Sequence, residues 1–174
     1  MADLKGKKIA MIIAHEGFRD EELSVPAGIF KKAGADVKIA SSSVSAAKGK
    51  LGMTITPDLL YSDINAKDYD AVIFVGGPGS SQYWNDPKAH KIVKDAANFN
   101  KVLAAICAAP PTLGNAGVLK GKKATCFPDE GKLLTAAGAE YTARGVEVDG
   151  NIVTGNGPQS AKAFAEEVVK LLSK

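Results

Sequence analysis

A chain of 174 residues, 45% hydrophobic and 24% charged, has the composition of a water-soluble globular protein and the length of about one ordinary domain. A net charge of +3, with lysine and arginine scattered rather than blocked, argues against a nucleic-acid partner. No apolar run approaches the roughly 20 residues of a membrane span, and "MADLKGKK" does not lead into a secretory core, so a cytoplasmic protein is expected. Two cysteines, Cys107 and Cys126, are too few for a disulfide framework and lack zinc-ligand spacing, so free thiols in a reducing compartment are the default.

The first apolar run, "KIAMIIA" from Lys8, reads as a buried strand, and His15 follows it at the strand's carboxyl end. His15 is either a loop residue beside Glu16 or a group that reaches a pocket at that edge. A helix follows around "EELSVPAGIFKKAG", closed by Gly34 after two lysines. Within it Glu22 shares a stripe with Pro26, Ile29 and Ala33 and borders the buried face, where desolvation raises a carboxyl pKa. Asp20 and Glu21 fit a solvated acidic first turn. "DVKIAS" is the next strand, and Ser42 to Gly52 has the composition of an exposed connection.

"AVIFV" then runs into Gly76, Gly77, Pro78 and Gly79. This is either a tight strand-to-helix turn or a place where backbone approaches a ligand; no phosphate-loop or dinucleotide fingerprint accompanies it. Tyr83 and Trp84 follow, as pocket wall or subunit contact, and His90 falls on the solvated face of the helix "PKAHKIVKDAANF". The strand "VLAAI" ends at Cys107. A helix from about Ala108 would put Pro110 and Pro111 in its first turn and leave the amides of Ala108 and Ala109 facing the thiol, whose pKa the dipole lowers. From this geometry the cysteine is either small-residue packing or a nucleophile. Cys126, in "KATCFP", reads as packing at the end of a short strand. "VEVDGNIVT" predicts an antiparallel hairpin about Asp149-Gly150-Asn151, and "GPQSAKAFAEEVVKLL" a last helix burying Ala161, Phe164, Val168 and Leu171.

Strands apolar on both faces and alternating with helices predict a doubly wound α/β sandwich, one domain over 1–174, with a mostly parallel central sheet and helices on both faces. "AICAAP", "VGGPG", "DEELSVP" and "TGNGP", in their order along the chain, resemble the DJ-1/PfpI superfamily, whose fold is a flavodoxin-like three-layer sandwich, and the resemblance runs from Lys8 to Leu172. It implies a nucleophile elbow at Cys107 in a strained conformation and a protonated Glu22 hydrogen-bonded to its sulfur. It also implies an oxyanion and substrate site from Gly76, Gly77 and Ala108.

The pattern departs from the family at three positions. Protease-like members carry histidine where this chain has Ala108, which disfavours a cysteine peptidase. Members near DJ-1 carry histidine and arginine where Phe127 and Asn156 stand, so a less basic pocket is expected. The resemblance implies a cysteine-dependent enzyme acting on small carbonyl compounds or their adducts, of glyoxalase or deglycase type. The other reading is an oxidation-sensing stress protein with little turnover. No metal or organic cofactor is implied, and the expected partners are the carbonyl substrate and a second copy of the chain in a homodimer or larger homo-oligomer.

Overall fold

The computed structural model describes residues 2–174. The first half of the chain forms β1 (Lys8–Ile12), β2 (Glu16–Phe18), α1 (Asp20–Lys32), β3 (Asp36–Ser41), β4 (Ala47–Gly49), β5 (Thr54–Ile55), β6 (Leu59–Leu60), β7 (Ala71–Phe74) and α2 (Pro87–Asn98). The second half forms β8 (Val102–Ile106), α3 (Pro110–Asn115), β9 (Lys123–Ala124), α4 (Gly131–Ala136), β10 (Glu140–Tyr141), β11 (Val146–Asp149), β12 (Ile152–Gly155) and α5 (Ala161–Leu172).

The main sheet has the order β11-β12-β8-β7-β1-β3-β6, parallel except for the terminal β11–β12 hairpin. Every residue of β7 and β8 is buried, which is why these strands read as unbroken apolar runs. One face carries Phe30 of α1 and Phe164 and Val168 of α5; the other carries Ile92 and Val93 of α2 and Leu113 of α3. Each such side chain contributes roughly 1.5–3 kcal/mol by leaving water. The chain steps from β1 outward to β3 and then returns to β7. The strand order therefore reverses between β1 and β7, where doubly wound sheets open a crevice at the carboxyl ends of their strands.

Three local expectations change. The segment expected to be an exposed connection contains β4, which joins β2 and β5 in a separate three-stranded sheet. It is anchored by Asp20, whose carboxylate accepts from the amides of Leu51 (3.1 Å) and Met53 (2.9 Å), so this acid is a tether rather than a solvated first-turn residue. The last helix starts at Ala161 after a short 3-10 turn at Pro158–Ser160, and Leu172 rather than Leu171 is its last fully buried position. The helix after Cys107 begins at Pro110, two residues later than expected, because the Ala109 amide closes a turn onto the carbonyl of Ile106 (3.1 Å).

A candidate active site at the ends of β7 and β8

Cys107 leaves β8 with φ = 64°, in the left-handed region that costs a non-glycine residue of order 1–3 kcal/mol. Its backbone is held there from both sides: the amide donates to the carbonyl of Gly155 on β12 (2.8 Å), and the carbonyl accepts from the amide of Phe127 (2.7 Å). The residue is 8% exposed, with its sulfur toward a cavity of about 340 Å³.

The backbone amides of Gly77 and Ala108 act on the sulfur in the direction that favours its charged form. Gly77 has φ = 110° and its carbonyl takes both the amide (3.0 Å) and the hydroxyl (2.8 Å) of Ser80, while the peptide that carries its N–H is held by the Gly76 carbonyl, which accepts from the Arg19 amide (2.8 Å). Ala108 is oriented by Trp84, whose indole N–H donates to its carbonyl (2.6 Å). The carbonyl of Trp84 lies 2.8 Å from Nε2 of His90 and accepts from the Asn115 amide (3.0 Å). Gly77 and Ala108, which the resemblance implies as oxyanion donors, are the amides that act on the sulfur; the Ala109 amide, expected beside that of Ala108 at the thiol, is spent on Ile106.

Behind the sulfur lies Glu22, fully buried, with neither carboxyl oxygen hydrogen-bonded among the described residues by ordinary geometry. Gly76 explains how it comes so near. A Cβ at this position would overlap Oε1 of Glu22, the carbonyl of Ile106 and Cβ of Cys107, so the missing side chain is the space in which carboxyl and thiol meet. Gly76 is thus a spacer whose carbonyl accepts from the Arg19 amide (2.8 Å).

Burial pushes the Glu22 carboxyl up to about 7, against the pull of the Cys107 thiol and Arg19. The Cys107 thiol is pushed up to about 12 by burial and then by the adjacent carboxyl, with the Gly77 and Ala108 amides pulling the other way. This corrects the expectation of a lowered thiol pKa: burial and the acid behind the sulfur outweigh two backbone donors. The two groups titrate as one unit, losing a single proton near neutrality.

The rest of the cavity wall is made by Arg19, Lys50, Pro78, Phe127, Glu130, Pro158 and Gln159. Phe127 is where expected. Asn156 is not on the wall; its Oδ1 accepts from Ser160 (2.7 Å) and Gln159 (3.3 Å), so it holds the turn before α5 and presents Gln159 instead. His15 lies outside the wall too, with Nε2 3.0 Å from the Ser45 hydroxyl, and His90 is half-buried against Trp84 rather than solvated. Tyr83 is neither pocket wall nor surface contact: it is buried and its hydroxyl donates to Ile13 (2.8 Å). The wall is also more basic than expected, because Arg19 and Lys50 bring cations from the β2–α1 junction and the β4–β5 turn. Sequence reasoning missed both, together with Glu130. The one available signal was Asp20, which ties the Lys50 turn to the start of α1.

Fold and site together define a class: doubly wound α/β sandwiches with a strained cysteine at a strand end and a buried carboxyl beside it. The family model for the DJ-1/PfpI family matches residues 7–171, and the chain belongs to that family. A Pyrococcus furiosus protein named deglycase PfpI is 36% identical over 165 residues, covering 95% of this chain and 99% of its own. General stress protein 18 of Bacillus subtilis is 33% identical over 172 residues, 97% and 99% of the two chains. The crystal structure of a ThiJ/PfpI domain protein from Brachyspira murdochii superposes with a TM-score of 0.93 at 35% identity, covering 97% of each. No helix among the described residues is long and apolar enough to cross a membrane.

Proposed function

We propose that this protein is a cysteine-dependent enzyme that converts small reactive carbonyl compounds or their adducts, as a glyoxalase or deglycase, with Cys107 as nucleophile. The observation that carries this reading is that Cys107, at φ = 64°, Gly77 and Ala108 line one cavity while the buried Glu22 carboxyl stands behind the sulfur. When the pair loses its one proton near neutrality, the Gly77 and Ala108 amides favour charge on sulfur, while Arg19 and the thiol itself favour it on Glu22. The reactive form on this reading is the one with charge on the thiolate and the proton on the carboxyl. The thiolate adds to an aldehyde carbon, Glu22 returns a proton through the sulfur side, and the Gly77 and Ala108 amides hold the developing oxyanion. The naming of several relatives as deglycases supports the same class.

Formation of lactate from methylglyoxal tests the reading. Wild type turns over, and Cys107→Ser and Glu22→Gln lose at least about a hundredfold in kcat. Equal, slow turnover by all three would sink the assignment. A second reading, an oxidation sensor, is favoured by the same donors, which suit a sulfinate on Cys107, and by the stress-protein relative. A stable gain of two oxygens on Cys107 in intact-mass spectra after mild peroxide, with no turnover, would select it. No histidine lines the cavity among the described residues, so a peptidase lacks its base. We propose a homodimer by family resemblance; sedimentation equilibrium at the mass of two chains checks it.

A further inference from the structure

A carbonyl-converting cysteine enzyme must move protons in two places. One is the sulfur and the carbonyl oxygen beside it. The other is carbon: after the thiolate bonds to the aldehyde carbon of a 2-oxoaldehyde, the hydrogen on that carbon leaves as a proton, its bonding electrons form an enediolate, and a proton is returned to the neighbouring carbon. The aldehyde carbon then stands as a thioester, which water cleaves to the 2-hydroxy acid and free thiol. One carbon is oxidised as its neighbour is reduced, so one water and no external oxidant are consumed.

Glu22 is placed for the first job only. It is fully buried behind Cys107 and takes no part in the cavity wall. The ionisable groups that do line the wall are Arg19, Lys50, Cys107 and Glu130. Two are cations with no free lone pair at neutral pH and one is the nucleophile. His15 and His90 are engaged elsewhere.

Resting on the carbonyl-enzyme reading, we infer that Glu130 is the catalytic base that takes the proton from substrate carbon and returns it to the adjacent carbon. Its carboxyl makes no hydrogen bond or ion pair among the described residues, although its charge also acts on the Cys126 thiol. Glu130 stands at the N-cap of α4 yet its side chain makes no capping bond, and Oε2 is buried without a partner. Its backbone is tied to the elbow in two steps: the Glu130 amide donates to Phe127 (2.9 Å), and the Phe127 amide donates to Cys107 (2.7 Å). Burial and the neighbouring Asp129 raise its carboxyl above the ordinary range, toward the pH at which a base works best. The base that histidine at position 108 or 127 would have supplied is thus provided from three residues beyond Phe127.

The experiment compares wild type, E130Q, E130D and E130A with methylglyoxal and with methylglyoxal deuterated at the aldehyde carbon, and measures alkylation of Cys107 by iodoacetamide. The inference expects E130Q to lose about a hundredfold or more in kcat, with a larger deuterium isotope effect and an alkylation rate within about twofold of wild type. E130D should recover at least about tenfold over E130A. Turnover of E130Q at the wild-type rate while Cys107→Ser is inactive would remove Glu130 and leave the proposed function standing. Absence of turnover by wild type would remove both. If E130Q also alters alkylation, the comparison of E130D with E130A decides: equal rates in those two overturn the inference.

Discussion

The protein's two cysteines end neighbouring segments at the same edge of the fold, and a single backbone hydrogen bond from Phe127 to Cys107 joins those segments. Both thiols are pushed up to about 12, first by burial and then by a nearby carboxyl, Glu22 at Cys107 and Glu130 at Cys126. Their surroundings differ in what opposes that push. Cys126 is fully buried in the core layer under α2, α3 and α4, and its thiol donates to the carbonyl of Phe127 (3.2 Å). Cys107 belongs to the opposite core layer, opens on the cavity, sits in a strained conformation, and has two amides and a partnerless acid around its sulfur. Desolvation and a nearby carboxyl, with no donor to oppose them, make an inert thiol. What makes a candidate nucleophile is desolvation opposed by donors that reward the charged form once a proton has left.

The largest test of this contrast exchanges the sulfurs. Cys107→Ser should abolish lactate formation and iodoacetamide labelling, whereas Cys126→Ser should leave kcat within about twofold. Labelling of Cys126 at a comparable rate in peptide-mass analysis would erase the distinction. Next, Gly76→Ala forces a methyl between carboxyl and thiol. It should cost several kcal/mol of stability in chemical denaturation, in the upper part of the overpacking range of about 1–3 kcal/mol or beyond, and remove activity with it.

Glu22 carries a pH signature of opposite sign to the usual carboxylate. Its folded pKa of about 7 lies above the ordinary carboxyl value of 4.5, so its burial is tolerated while it is protonated and stability falls as pH rises from about 4.5 to about 7. The loss is on the order of 3 kcal/mol. Glu22→Gln should flatten that slope, giving a variant more stable than wild type at pH 8 in urea titration and less active. A slope unchanged by the substitution would mean that Glu22 is not the protonated partner. The smallest effect concerns the elbow. At φ = 64° a glycine is less strained than an alanine, so Cys107→Gly should match or exceed Cys107→Ala in thermal stability by about 1 kcal/mol, the reverse of their usual order.

The centre of the site was legible because its parts sit next to readable elements. β7 and β8 are apolar runs that end at Gly76-Gly77 and at Cys107, and Glu22 falls on the inner stripe of α1. Strand ends and helical periodicity are local properties of the chain. The wall of the cavity was not legible. His15 shares the sheet edge, but its ring turns to Ser45; Asn156 belongs to a matching motif, but its side chain holds a turn. Lys50 reaches the site only because Asp20 folds the β4–β5 turn back onto α1, and Glu130 only because Phe127 is pinned to the carbonyl of Cys107.

The sequence by itself therefore determined the layered sheet, the thiol at the end of β8, the glycine gap beside it and the acid that borders the core. Each follows from short-range periodicity or from a residue type that only one backbone conformation favours. Tertiary structure alone decided the thiol's high pKa, the diversion of the Ala109 amide to Ile106, and the charged wall of Arg19, Lys50 and Glu130. Those depend on desolvation and on contacts between segments far apart in the chain. No local pattern encodes the distance between two side chains, or how much water remains around them.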